Sequence, residues 1–199
     1  MKYILEFTDY EKYLNKESRT RTKELDEEEF IQIFKENCTQ FSFKNDQLWR
    51  GKGDTGEFGL FLGQERSGTI GKYKYQSIMK DDLPVVRKNS LIGSTSREMA
   101  KHLTSDGAWG SSPAYLVIPF DNSKIVFCKY FDIAVGERSG KEISLDDFEL
   151  VTYKKGFKCP YKGQVMPRGN VGNEFFTDSY CLLVREDKVK WLESILGNS

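Results

Sequence analysis

Ala114-Tyr115-Leu116-Val117-Ile118-Pro119 and Lys124-Ile125-Val126-Phe127-Cys128 are two short apolar runs flanking the turn residues Asp121-Asn122-Ser123. β-Branched and aromatic residues bounded by such a turn predict two strands joined as a hairpin or a closely related corner. Residues 148–153, 173–176 and 180–184 carry further strand signals. Upstream, Gln47-Leu48-Trp49-Arg50-Gly51 reads as a short strand broken by glycine, and Ser90-Leu91-Ile92-Gly93 as another. A helical stretch, 97–103, follows with Met99 and Leu103 on one face. The order is therefore helix, strand, loop, strand, helix and then mostly strands. That order suits an α+β fold with antiparallel sheets better than alternating βαβ units.

The first helix announces itself at Asp26. Glu29 completes a capping-box spacing, the first turn is acidic, and Leu25 can staple onto Phe30. The helix is predicted to run to about Cys38, with Phe30, Ile31 and Phe34 as a core stripe. Thr95 and Glu98 have the same capping spacing before the second helix, and Asp187 is the expected cap of a last helix ending at Gly197. Residues 51–82, rich in Gly, Lys and Ser, predict a long loop with at most one helical turn or strand. Gly51, Gly53 and Gly56 spell G-x-G-x-x-G, but no helical pattern follows, so the match reads as chance. At 199 residues the chain is one domain, 1–199, with 1–45 as an N-terminal helical lead-in.

Thirty Lys plus Arg balance thirty Asp plus Glu, so no global basic excess favours a nucleic-acid coat. Cys38, Cys128, Cys159 and Cys181 lie far apart and form no Cys-x-x-Cys or Cys/His cluster, which predicts reduced thiols and no metal site. No apolar stretch approaches a membrane span or a signal peptide, which points to a cytoplasmic protein. His102, the single histidine, has no triad pattern around it and reads as a surface or capping residue.

Arg50 ends an apolar strand beside Gly51, where a guanidinium can fork onto phosphate or carboxylate. Ser94-Thr95-Ser96 stands at a strand-to-helix junction, where hydroxyls cap the helix or bind a ligand. Alone, a salt bridge explains the first and capping the second. In order, and with Glu174 beginning the late strand Asn173-Glu174-Phe175-Phe176, they resemble the ADP-ribosyltransferase family: an aromatic-Arg-Gly strand, a Ser-Thr-Ser strand end and a catalytic Glu. The likeness spans about residues 47–184, and the Arg-to-Pro segment also resembles phage-encoded members.

The resemblance implies a split antiparallel β-sheet core with a few flanking helices and NAD as co-substrate without a metal. Arg50, Gly51, Ser94, Thr95 and Ser96 are then the cofactor-binding residues and Glu174 the catalytic one. The acceptor of ADP-ribose would be a macromolecule, a protein rather than nucleic acid, met in the cytoplasm, or the host cytoplasm for a phage-encoded protein. Tyr73, Tyr75 or Phe61 could stack on nicotinamide or serve as core aromatics. Two features depart from the pattern. Gly172 stands where arginine-modifying members carry Glu or Gln, and Glu149, which also begins a strand, rivals Glu174. Two alternatives stay open: the same fold without catalysis, binding a host or virion protein, and a nucleic-acid-associated protein using the Lys-rich 154–168 loop.

Overall fold

A computed structural model describes residues 20–51, 56–64, 91–104, 113–131, 140–165 and 171–196. Its elements in chain order are β1 (Thr20–Leu25), α1 (Glu27–Asn37), β2 (Leu48–Gly51), β3 (Phe58–Gln64), β4 (Leu91–Ser94), α2 (Arg97–Thr104), β5 (Ala114–Pro119) and β6 (Lys124–Cys128). There follow β7 (Phe148–Thr152), β8 (Gln164–Val165), β9 (Val171–Gly172), β10 (Glu174–Thr177), β11 (Cys181–Arg185) and α3 (Val189–Leu196). This is an α+β fold: among the described residues, nine strands form one antiparallel sheet in the order β1-β3-β11-β5-β2-β4-β10-β6-β7, and β8 pairs with β9. No helix among them is long and apolar enough to cross a membrane.

Local chemistry builds α1 as its sequence predicts. The Asp26 carboxylate accepts from the Glu29 amide at 2.8 Å while the Glu29 carboxylate accepts from the Asp26 amide at 3.3 Å, closing the capping box. Leu25 and Phe30, flanking the cap, are both buried in one cluster. The lead-in segment also supplies a strand, since β1 pairs with β3.

Two apolar clusters lie on opposite faces of the strands β3, β11, β5 and β2. The first joins Trp49, Leu116, Leu182 and Val184 to Phe30 and Phe34 of α1 and Leu192 of α3. The second takes the alternate residues, Leu48, Tyr115, Val117 and Leu183, together with Leu91, Phe127 and Phe175 from β4, β6 and β10. Strands far apart in the sheet order thus share one cluster, and β3 also touches β4 directly. The sheet therefore curls around this second cluster. Its weakest seam lies between β2 and β4, which are joined by the single pair Trp49↔Ser94.

Two expected helix caps are corrected, whereas residues 114–128, expected as a hairpin or a closely related corner, form the corner: β5 lies between β11 and β2, and β6 lies between β10 and β7. The turn is fastened to distant segments that pull it across the sheet. Asp121 accepts from the amides of Thr39 and Gln40, the Asn122 amide donates to the Tyr153 carbonyl, and Asn122 itself adopts φ 63°. The second helix is capped by Ser96, whose hydroxyl accepts from the Met99 amide at 3.4 Å, because the Thr95 hydroxyl is engaged with Asn173. Asp187 does not cap α3. It lies within a 3-10 turn and binds the Arg185 guanidinium at 2.7 and 2.8 Å. The segment after Gly56 is strand β3, so the glycine motif lacks the helix a dinucleotide loop requires.

Candidate functional site

The register of the central strands decides which predicted residues meet. Ser94, the last residue of β4, is the cross-strand partner of Trp49 on β2 and of Glu174 on β10. Directly opposed residues of an antiparallel pair present their side chains to the same face at about 4.5–5.5 Å between Cβ atoms, so Ser94 and Glu174 are side by side. Both are buried, at 0% and 6% exposure. The Ser94 hydroxyl accepts from the Ser96 amide at 3.1 Å, which leaves its own proton to donate.

A two-way clasp holds this pair. The Thr95 amide donates to the Asn173 carbonyl at 2.9 Å, and the Asn173 amide donates to the Thr95 hydroxyl at 2.9 Å. Asn173 itself is 1% exposed. Its side-chain amide donates to the carbonyls of Cys128 and Lys129, and its oxygen accepts from the Cys159 thiol at 3.7 Å. The Glu174 amide completes the clasp on the Tyr130 carbonyl. The residues flanking Glu174 are thereby fixed from three separate segments.

Gly172 belongs to the same packing. A Cβ built there would lie 2.8 Å from the Ser96 Cβ and 3.0 Å from the Ser94 hydroxyl oxygen. The carboxylate or amide expected at this position in arginine-modifying transferases has no room. Gly93 is equally confined, since its Cβ would meet the Trp49 carbonyl oxygen at 2.3 Å and the Phe175 ring at 2.5 Å.

Arg50 follows Trp49, and strand alternation sends its side chain to the other face. Its guanidinium lies 4.4 Å from the centroid of Phe61, within the concave cluster, and Tyr115 is its cross-strand partner. Burial pushes the Cys181 thiol far up, while the Arg50 charge pulls it the other way, which places the guanidinium on that side. Arg50 therefore neighbours the Ser94–Glu174 pair along the backbone but not in side-chain direction. Gly51 is buried in β2 opposite Ala114.

The rival carboxylate lies elsewhere. Glu149 on β7 opposes Phe127, which opposes Phe175, so it belongs to the row facing away from Glu174 and is exposed. Phe61, at 1% exposure, is a core residue rather than a stacking platform, whereas Tyr73 and Tyr75 lie outside the described residues. His102 lies on α2, and its side chain is outside the described residues. All four cysteines are free thiols, three buried and Cys159 half-buried. Among the described residues no three His, Cys, Asp or Glu side chains gather as a metal site.

A shallow cavity of about 490 Å³ opens at the opposite end of β10, beside Asp178, Ser179 and Tyr180. Glu36, Asp121 and Asp178 line it, a poor setting for an anionic ligand, and none of the predicted site residues reaches it. Asn173 is the residue that sequence reasoning missed. By sequence it is only the start of a strand, and nothing in Gly172-Asn173-Glu174 marks an asparagine whose partners come from residues 95, 128, 129 and 159.

No family model, no curated protein and no solved structure matches the chain.

Proposed function

We propose that the chain is an NAD-dependent ADP-ribosyltransferase, cleaving the bond between nicotinamide and ribose and transferring ADP-ribose to a protein acceptor. The observation that carries this reading is the direct opposition of Ser94 and Glu174 across β4 and β10, at the seam where β2 joins. The three motif elements, far apart in the chain, lie on three neighbouring strands, β2, β4 and β10, which supports the reading.

In this reading the nicotinamide leaves with the electron pair of its glycosidic bond, and positive charge develops on the ribose ring. Glu174, buried and oriented, accepts a hydrogen bond from the ribose 2′-hydroxyl and stabilises that charge. Ser94, with its oxygen already occupied by the Ser96 amide, donates its proton to keep the carboxylate oriented. The Arg50 guanidinium lies over Phe61 on the other face of the sheet from Glu174, so in this reading it supports β2 from the concave side rather than the pyrophosphate. The confinement of Gly172 turns the acceptor away from arginine, since residue 172 offers no carboxylate to take up a guanidinium proton.

Incubation of the purified protein with labelled NAD and a cell lysate, beside Glu174→Gln, tests the reading. Nicotinamide release and label transfer are expected from the wild type, with a loss of about a hundredfold or more in the variant. Absence of both from the wild type would sink the enzyme. The packing of Gly172 also favours a second version, the same fold without turnover acting as a binder of a host or virion protein. NAD binding with no nicotinamide released identifies that version.

A further inference from the structure

Residues 153–162 form a loop whose backbone is fastened along its length while its lysines face solvent. Tyr153 and Phe157 anchor it in the concave cluster, at 2% exposure each. The Lys155 amide donates to the Gln40 side chain, the Gly156 amide to the Asn45 side chain, and the Cys159 amide to Asp46 at 2.9 Å. The Tyr153 amide and carbonyl are both paired with the 122–123 turn, and the Asp46 amide donates to the Phe157 carbonyl. Gly156 supplies the left-handed turn, φ 76°, that sets Lys154 and Lys155 apart from Lys158.

The charge on this loop is displayed rather than consumed. Lys154, Lys155, Lys158 and Lys162 are all exposed. Lys158 is committed to Asp46 and to the Lys44 carbonyl, but Lys154, Lys155 and Lys162 make no ion pair among the described residues. Of the neighbouring acids, Asp46 is held by Lys158 and the Cys159 amide, and Asp121 by Thr39 and Gln40. Glu149, close enough to Cys159 and Tyr161 to help raise both their pKa values, offsets part of the remaining charge. At its far end the loop touches the proposed site, where the Cys159 thiol meets the Asn173 side chain.

We propose that this loop is a docking surface for an acidic protein segment rich in Asp and Glu. A nucleic acid fits it less well. Two of its three aromatics, Tyr153 and Phe157, are buried and Tyr161 is half-buried, and the basic residues of the described part, 153–165, are all lysines, which bind phosphate without arginine's fork. A pre-ordered loop binds an extended acidic chain without first losing its own conformational freedom. That the docked segment is the acceptor of ADP-ribose rests on the transferase reading above; the dock itself does not.

The test measures binding directly, by fluorescence anisotropy of a labelled polyglutamate peptide and of an oligothymidylate of equal length. Wild-type protein is compared with the triple variant Lys154→Glu, Lys155→Glu, Lys162→Glu, with thermal melts as the folding control. The peptide is expected to bind, to weaken as salt rises, and to bind the triple variant about tenfold or more weakly with the melt unchanged. If the triple variant melts early, the same three positions changed to Gln carry the comparison, with a smaller loss. Failure of the peptide to bind, equal binding by the variants, or tighter binding of oligothymidylate overturns the proposal. Nicotinamide release is read separately: a wild type inert toward NAD removes the transferase and leaves the dock, whereas a failed peptide titration does the reverse.

Discussion

Replacing Asn173 by alanine removes one side-chain amide that serves three partners. Its two donated bonds, 3.2 Å to the Cys128 carbonyl and 3.0 Å to the Lys129 carbonyl, differ in what replaces them. Cys128 is fully buried, so losing a donor there costs about 1–3 kcal/mol, whereas water reaches half-buried Lys129 and the loss is about 0.5–1.5 kcal/mol. Together that is about 1.5–4.5 kcal/mol. For a chain of 199 residues it lowers the melting temperature by roughly 3–18 °C, read by circular dichroism at neutral pH. Asn173→Asp sharpens the test. A carboxylate there faces two carbonyl oxygens without a proton to offer, so the variant should melt below Asn173→Ala at pH 7. Burial among acceptors raises the folded pKa of the introduced carboxyl. Its contribution to stability is therefore present at acidic pH and lost as pH rises through that folded value, and the gap between the two variants should narrow on acidification. A melt of Asn173→Ala within about 2 °C of wild type, or an aspartate variant more stable than the alanine one at pH 7, refutes the bridging role.

Gly172→Ala forces a Cβ to within 2.8 Å of the Ser96 Cβ, which cannot swing aside because it is bonded directly to the backbone. The expected cost is about 1–3 kcal/mol, seen as an earlier thermal transition; an unchanged transition argues against the close approach of residues 94–96 and 172. Burial pushes the Cys159 thiol from its ordinary 9.0 up to about 11. At pH 8 its thiolate is then about a hundredfold scarcer than that of a free cysteine, and alkylation followed by mass spectrometry should be slow and should quicken steeply with pH. In the linkage sense, the proton stays on the folded thiol where the unfolded chain has lost it. The stability from Cys159 is therefore full below pH 9 and declines as pH rises toward 11. Labelling at the rate of a free thiol contradicts that burial.

Features governed by near neighbours were legible in the sequence. Asp26 and Glu29 close their capping box within a single turn, and the apolar runs at 114–119, 124–128 and 181–185 form strands because their side chains favour a pleated, buried surface. Partner choice was not legible. The two runs whose spacing allows a hairpin or a corner belong to different halves of the sheet, because the corner between them is tied by Asp121 to α1's end and by Asn122 to β7's end. Thr95 lost its capping role to an amide 78 residues away. The order Arg50, Ser94, Glu174 is plain in the sequence, but alternation about Trp49, which divides Arg50 from the other two, is visible only with the ladder pair Trp49↔Ser94. Phe61 shows the same limit: its sequence allows stacking on a ligand as well as core packing, and only the curl of the sheet commits it to the core.

The position of β11 between β3 and β5 has a consequence for how the chain is made. Residues 181–185 fill the middle of a half-sheet whose other strands begin at residue 20, so a nascent chain emerging in order carries β1, β3, β5 and β2 with their central partner still absent. Until β11 arrives, both β3 and β5 expose an apolar edge able to recruit another strand. Completion is therefore governed by one late, long-range insertion, which makes slow folding and chaperone dependence during synthesis the expected behaviour of this topology.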